Sequence, residues 1–313
     1  MAAPAGEQRL RTGPPTAQDR RVRQSSIALG LILALTIGVG AQGPARGKSF
    51  LWKVQSRTGV LFLAGSIHAL TPEAYPLSPA YQTAFDAAGA LVEEIDLAEA
   101  NPLTSGPALI AKGTYQDGRT FDDAVSPATA ALVAERLQGI PMVMTLIRPM
   151  KPWMVMLLIE ALGAQAAGLD PQLGLDKHFY DMAARTGKTV MGLETLESQV
   201  DRFDRMPEAL QEKLLRSALA EQETERTSLR SLVAAWKSGD TAAVEVTLLS
   251  GFRDSPEAYT SLVTERNRNW MPQLEACLVR ASPCFVVVGA AHLVGPDGLL
   301  VMLQQRGYRV EQQ

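Results

Sequence analysis

Two apolar segments near opposite ends of this chain share one frame, and they constrain the fold more than any other feature. Val60-Leu61-Phe62-Leu63-Ala64 runs into Gly65-Ser66-Ile67-His68, and Phe285-Val286-Val287-Val288 runs into Gly289-Ala290-Ala291-His292. Short, continuous apolar runs bounded by glycine read as fully buried strands. A largely helical stretch separates them, so both ends of the chain are expected to meet in one sheet. Each strand then delivers a histidine just beyond its end, where open α/β sheets bind ligands. Glycine at that point allows a tight turn or a close backbone approach. The chain has three histidines, and two of them occupy this frame. His68 and His292 are therefore expected to face one crevice.

The remaining pattern fills in a three-layer α/β arrangement. Phe50–Val54 and Val60–Ala64, separated by Ser56-Arg57-Thr58-Gly59, read as a hairpin. Ser78-Pro79 and Ser126-Pro127 each pair a capping side chain with a proline at the first helical position, opening helices to about Ala88 and Gly139. Ala90–Leu97 and Thr189–Leu193 read as strands, and Asp176–Arg185 as a helix. Pro152–Ala167, with Glu160 its one formal charge, reads as a buried helix. Residues 207–280 are helical, with breaks at Gly239-Asp240 and near Pro256. Leu299–Arg306 adds a helix and Tyr308–Val310 a last strand. The expected organisation is a single α/β domain over 42–313, a central mixed sheet with helices packed around it. A helical cap or side layer is expected over about 126–280.

Residues 1–41 have the composition of a secretory signal: five arginines, an apolar run from Ile27 to Val39, then Val39-Gly40-Ala41. The run is shorter than the ~20 residues a spanning helix needs. The expected location is periplasmic or secreted, with a membrane anchor the outcome if the segment stays on. Five arginines against Glu7 and Asp19 make this segment +3, so the full chain at −3 leaves a remainder at −6. An acidic protein without a basic stripe is a poor partner for nucleic acid. Cys277 and Cys284 can close a disulfide in an exported protein or stay as two buried thiols; their spacing does not decide.

Carboxylates add to the histidine pair. If Ala90–Leu97 is one strand, Val92, Glu94 and Asp96 share a face and Glu93 and Ile95 the other. Acidic groups on a buried strand are costly unless paired, protonated or bound to metal. Two histidines and a carboxylate are a common ligand set for divalent transition metals. Glu194 ends the Thr189–Leu193 strand, placed to line the same crevice. Asp176 reads first as a helix-start residue, Arg266 and Asn267 as a solvated helix face, and His178 as a packing residue. The methionines at 142, 144, 150, 154 and 156 read as core, with an apolar groove for peptide or lipid as the alternative. Nucleophile-elbow, HExxH and phosphate-loop signatures are absent from the sequence.

Seven stretches together resemble the TraB/PrgY/GumN family, which includes the animal Tiki proteins. They are Leu51-Trp52-Lys53-Val54, Gly65 to His68, Val92 to Asp96, Gly174-Leu175-Asp176, Gly192-Leu193-Glu194-Thr195, Glu265-Arg266-Asn267, and Gly289 to Leu293 with Gly295 and Gly298. The resemblance implies a sheet core shared with erythromycin esterase-like and haem-binding ChaN-like folds. It implies a centre made of both GxxH histidines and Glu94, which in Tiki-type members is a manganese- or cobalt-associated protease. Asp176, Arg266 and Asn267 then become candidates for orienting the site, beside Gly65, Glu93 and Gly289.

Three functions follow as expectations. In the first, His68, Glu94 and His292 hold a divalent metal whose bound water attacks a peptide or small-molecule substrate, with Glu194 or Glu93 as general base. In the second, His68 is a metal-free base, as in the erythromycin esterases. In the third, the protein is a non-catalytic envelope protein that binds haem or a partner.

Overall fold

The computed structural model describes residues 47–100, 105–220 and 225–313, and these described residues belong to one compact unit. The expected signal segment, 1–41, lies outside the described residues. Six strands form one mixed sheet: β1 Leu51–Gln55, β2 Val60–Ser66, β3 Ala90–Glu93, β4 Thr189–Gly192, β5 Cys284–Gly289 and β6 Arg309–Gln312. Their order is β4-β3-β5-β2-β1-β6. The first four in that order run parallel, while β1 is antiparallel to both β2 and β6. The two ends of the chain do meet in this sheet. β5 is buried at every position, which is why its sequence is a continuous apolar run rather than an alternating one.

The parallel register sets the site. Gly65 pairs with Val288 and Ser66 with Gly289, while Glu93 pairs with Val287 and Gly192. Four adjacent strands therefore end at one edge, and the residues that follow them are Ile67-His68, Ala290 to His292, Glu94 and Leu193-Glu194.

The strand expected over Ala90–Leu97 stops at Glu93. Beyond it Asp96 builds a local turn, its carboxylate accepting from Ala98 N at 2.9 Å and its carbonyl from Glu99 N at 2.8 Å. Asp96 consequently does not share a strand face with Glu94. A short polar side chain that bonds its own backbone competes with the sheet ladder, and here it wins.

Two hydrophobic clusters support the unit. One surrounds the sheet and includes the Leu175–Thr186 and Glu265–Cys277 helices. The other is helical, built on Phe121, Val133, Ile147, Val155, Ile159 and Leu215. After β3 the next helix begins at Gly106, and the Leu175–Thr186 and Glu265–Cys277 helices pack on the sheet. The Pro152–Ala166 helix buries Trp153, Val155, Met156 and Ile159, while Met154, Leu157, Leu158 and Leu162 remain half-buried. Met156 is core; Met142 and Met144 are exposed. A disulfide joins Cys277, at the end of its helix, to Cys284 at the start of β5. Among the described residues, no helix is long and apolar enough to cross a membrane.

Candidate functional site

The two GxxH segments converge. A methyl group added at Gly289 would stand 3.1 Å from Glu94 Oε1, 3.3 Å from His68 Nε2 and 3.7 Å from His292 Cδ2. Glycine is required there by this close approach, not by backbone conformation, since its φ is −51°. Gly65 is equivalent: an added carbon would strike the Phe50 ring at 2.5 Å. His68, Glu94, Arg266 and His292 together floor a cavity of about 480 Å³.

His68 follows β2 and turns its Nδ1 to Asp176 Oδ1 at 3.1 Å. Asp176 sits in the first turn of the Leu175–Thr186 helix, where Gly174 is the cap, so its carboxylate is free to reach across. The imidazole is 64% accessible and lines the cavity. Desolvation pulls its pKa down. The Asp176 charge and hydrogen bond, with Glu94 behind them, outweigh that effect and raise it to about 9.

His292 is buried. Its Nδ1 lies 2.7 Å from Asn267 Oδ1 and its Nε2 2.9 Å from Arg266 Nη1. A guanidinium can only donate, so Nε2 is the acceptor and the proton sits on Nδ1. Burial lowers the His292 pKa most. Glu94 opposes this, but Arg266 adds to it, and the result is about 3. His292 is neutral at every ordinary pH.

Arg266 ties the floor together. Nε donates to Glu194 Oε1 at 2.8 Å, and Nη2 donates to both Glu194 Oε1 and Glu94 Oε2 at 2.5 Å. Nη1 donates to Leu262 O and to His292. All five of its N–H groups are thus engaged. The guanidinium lies over the Trp270 ring at 4.7 Å, and that ring stands 4.5 Å from the His292 ring. Glu94 also accepts from Gly289 N at 2.6 Å and from Gln199 Nε2 at 3.1 Å. Burial alone would raise the Glu94 pKa. The Arg266 charge, then the two histidines and the Gly289 N–H, hold it well below the carboxylate range.

Asn267 braces the same corner, donating to the carbonyls of His292 and Asp297. Arg266, Asn267 and Trp270 lie at i, i+1 and i+4 of one helix and all three are buried, so the solvated-face expectation is corrected. Gln199 and Trp270 were not singled out from the sequence. Trp270 could have been found from its helical spacing to Arg266; nothing local marks Gln199. His178 packs against Tyr75 and Phe179 and stays outside the site.

Glu93 does not line the cavity. It is 2% exposed, and neither carboxylate oxygen has a hydrogen-bond partner. Desolvation, then the neighbouring Asp176, Asp96 and Glu94 charges, push its pKa up to about 9. The folded state therefore keeps a proton that the unfolded chain loses above the ordinary carboxylate pKa of 4.5. Its contribution is fully present below that pH and is lost as pH rises through about 9. Glu93→Gln, which keeps the neutral shape, is expected to gain roughly 4 kcal/mol over the native chain at pH 7.5 and nothing at pH 4. Parallel urea-derived stability curves for the two proteins across that range would contradict this.

The model of the TraB/PrgY/gumN family matches residues 50–312. The chain belongs to that family. Its similarity extends to the uncharacterized protein YbaP of Escherichia coli (strain K12) and of Shigella flexneri, each 26% identical over 243 residues, 77% of this chain and 87% of the relative. No solved structure matches.

For this family member, manganese or cobalt held by His68, Glu94 and His292 would need a lone pair from each. The Nε2 of His292 and Oε2 of Glu94 already accept from Arg266, and Oε1 of Glu94 accepts from Gly289. A divalent cation would contest that ground with a fixed guanidinium of the same sign. Among the described residues no three His, Cys, Asp or Glu side chains are grouped to hold a metal ion. So arranged, these residues do not fit the ion.

Proposed function

We propose that this TraB/PrgY/gumN protein is a metal-independent hydrolase of an ester or amide, with His68 as its proton-transfer residue. The observation that carries this reading is the His68–Asp176 pair. One nitrogen of His68 is fixed on a carboxylate while the other faces a cavity beside Glu94. Asp176 holds the tautomer and raises the basicity of Nε2, the role a buried carboxylate takes behind a catalytic histidine. In the step proposed, Nε2 takes a proton from a water held between it and Glu94. The water oxygen bonds to the substrate's carbonyl carbon, the bond to the leaving group breaks, and the proton passes to that group. Glu94, Glu194 and His292 are positioning residues, locked by Arg266. The Cys277–Cys284 bond is of a kind that persists in exported proteins, which supports the location expected from the N-terminal segment.

A base with a pKa of about 9 is mostly protonated at neutral pH. kcat/KM against a panel of activated esters and peptides is therefore expected to rise about tenfold per pH unit and level off near pH 9. Asp176→Asn removes the charge that raises His68, so its plateau is reached at lower pH and its height falls roughly a hundredfold or more. A variant with native rates and an unshifted profile would refute the role of the pair.

A further inference from the structure

The cavity over the catalytic floor does not end at its apolar wall. Leu157, Phe203, Leu232 and Leu248 line it, and the same four side chains line a second chamber of about 610 Å³. They come from four different helices, Pro152–Ala166, Leu196–Asp204, Glu225–Ser238 and Thr241–Ser250. The far chamber continues along Met156 and Ala218, and Glu160, Ser217, Thr247 and Ser250 also line it. This accounts for the apolar circumference of the Pro152–Ala166 helix: Leu157 is half-buried because it faces these spaces rather than protein.

We infer that the substrate is an acyl ester whose aliphatic chain runs from the floor past these four residues into the second chamber. The inference rests on the hydrolase reading above for its bond cleavage, and on the chambers alone for its chain. A peptide brings an N–H and a C=O with every residue, and each needs a partner when buried. The shared wall is entirely hydrocarbon and offers none, whereas a polymethylene chain needs none. At the polar end the floor carries one unsatisfied group. Ser66 is among the residues that line the cavity, and its buried Oγ has no hydrogen-bond partner. Turned outward by a rotamer change, that hydroxyl can donate to the ester carbonyl, the one acceptor an acyl chain brings with it. Water attack then releases the fatty acid, and the alcohol leaves with the proton delivered by His68.

Two measurements on the full chain separate the chain site from the chemistry. In the first, kcat/KM is read on p-nitrophenyl esters from acetate to dodecanoate, below their aggregation limits. The expected gain is about fourfold per methylene until the chambers fill. Ala218→Phe, which narrows only the far chamber, should lower the dodecanoate-to-acetate ratio tenfold or more. In the second, dodecanoate binding is followed by calorimetry, with Leu248→Ala as a variant that enlarges the passage and so keeps the test independent of overpacking. Dodecanoate is expected to bind, more weakly to Ala218→Phe than to Leu248→Ala. Binding without hydrolysis of any ester would leave the chain site standing and sink the hydrolase reading. Hydrolysis without chain-length dependence, or dodecanoate binding that is absent or is displaced by a hydrophobic heptapeptide at lower concentration, would overturn the acyl assignment.

Discussion

Replacing Arg266 with alanine is expected to lower the stability of the fold by about 3–5 kcal/mol at pH 7, a large fraction of what a domain of this kind possesses. The reason lies in what the guanidinium leaves behind. Glu94 and Glu194 are each about 8–9% exposed at the side chain and share one Nη2. Without it two buried carboxylates face each other unpaired, and His292 Nε2 loses its donor. The pH dependence gives the effect a signature. Because the folded-state pKa of Glu94 is depressed, its contribution in the native protein is present above the ordinary carboxylate pKa of 4.5 and is lost as pH falls below it. In the alanine variant that contribution is gone and buried Glu94 favours protonation, so the deficit should shrink between pH 7 and pH 5. Arg266→Lys should recover only part of the loss, since three donors on a point charge cannot reproduce a planar fork with five. Urea unfolding of the three proteins at both pH values checks this. A deficit under 1 kcal/mol at pH 7, or one that does not depend on pH, would show that Arg266 is not the tie described.

The sheet and the shared crevice were legible because burial writes itself into sequence. A strand covered on both faces must be apolar throughout, and β2 and β5 announce themselves that way, with glycine and histidine at their ends. The family resemblance alone points to Glu94 rather than Glu93. Strand alternation does not apply, since β3 ends at Glu93 and the chain turns at Asp96. The partners of the site residues were far harder to read. Asp176 is 108 positions from His68 and Arg266 is 172 from Glu94. Each pairing is created by strand order rather than by any local spacing. Asp176 therefore looked like a helix-start residue, although Gly174 fills that place. Arg266 and Asn267 looked solvated because a charged, amide-bearing helix face is normally outside. What inverts the rule is two carboxylates and a histidine carbonyl waiting across the gap. The metal expectation followed from residue types alone, and residue types do not reveal that His292 Nε2 already accepts from Arg266.

Hydrolysis by chelator-stripped protein tests directly whether His68 moves protons without a metal. Native protein and His68→Ala would be stripped together, their metal content measured, and both assayed at pH 9, where about half of His68 is in its base form. The stripped native protein is expected to keep its full rate, unchanged by added manganese or cobalt. His68→Ala is expected to lose roughly a thousandfold or more, the scale of removing a positioned general base together with the water it orients, while keeping a native unfolding midpoint because the imidazole is exposed to the cavity. Loss of the native rate on stripping, with recovery on addition of manganese or cobalt, would contradict the account.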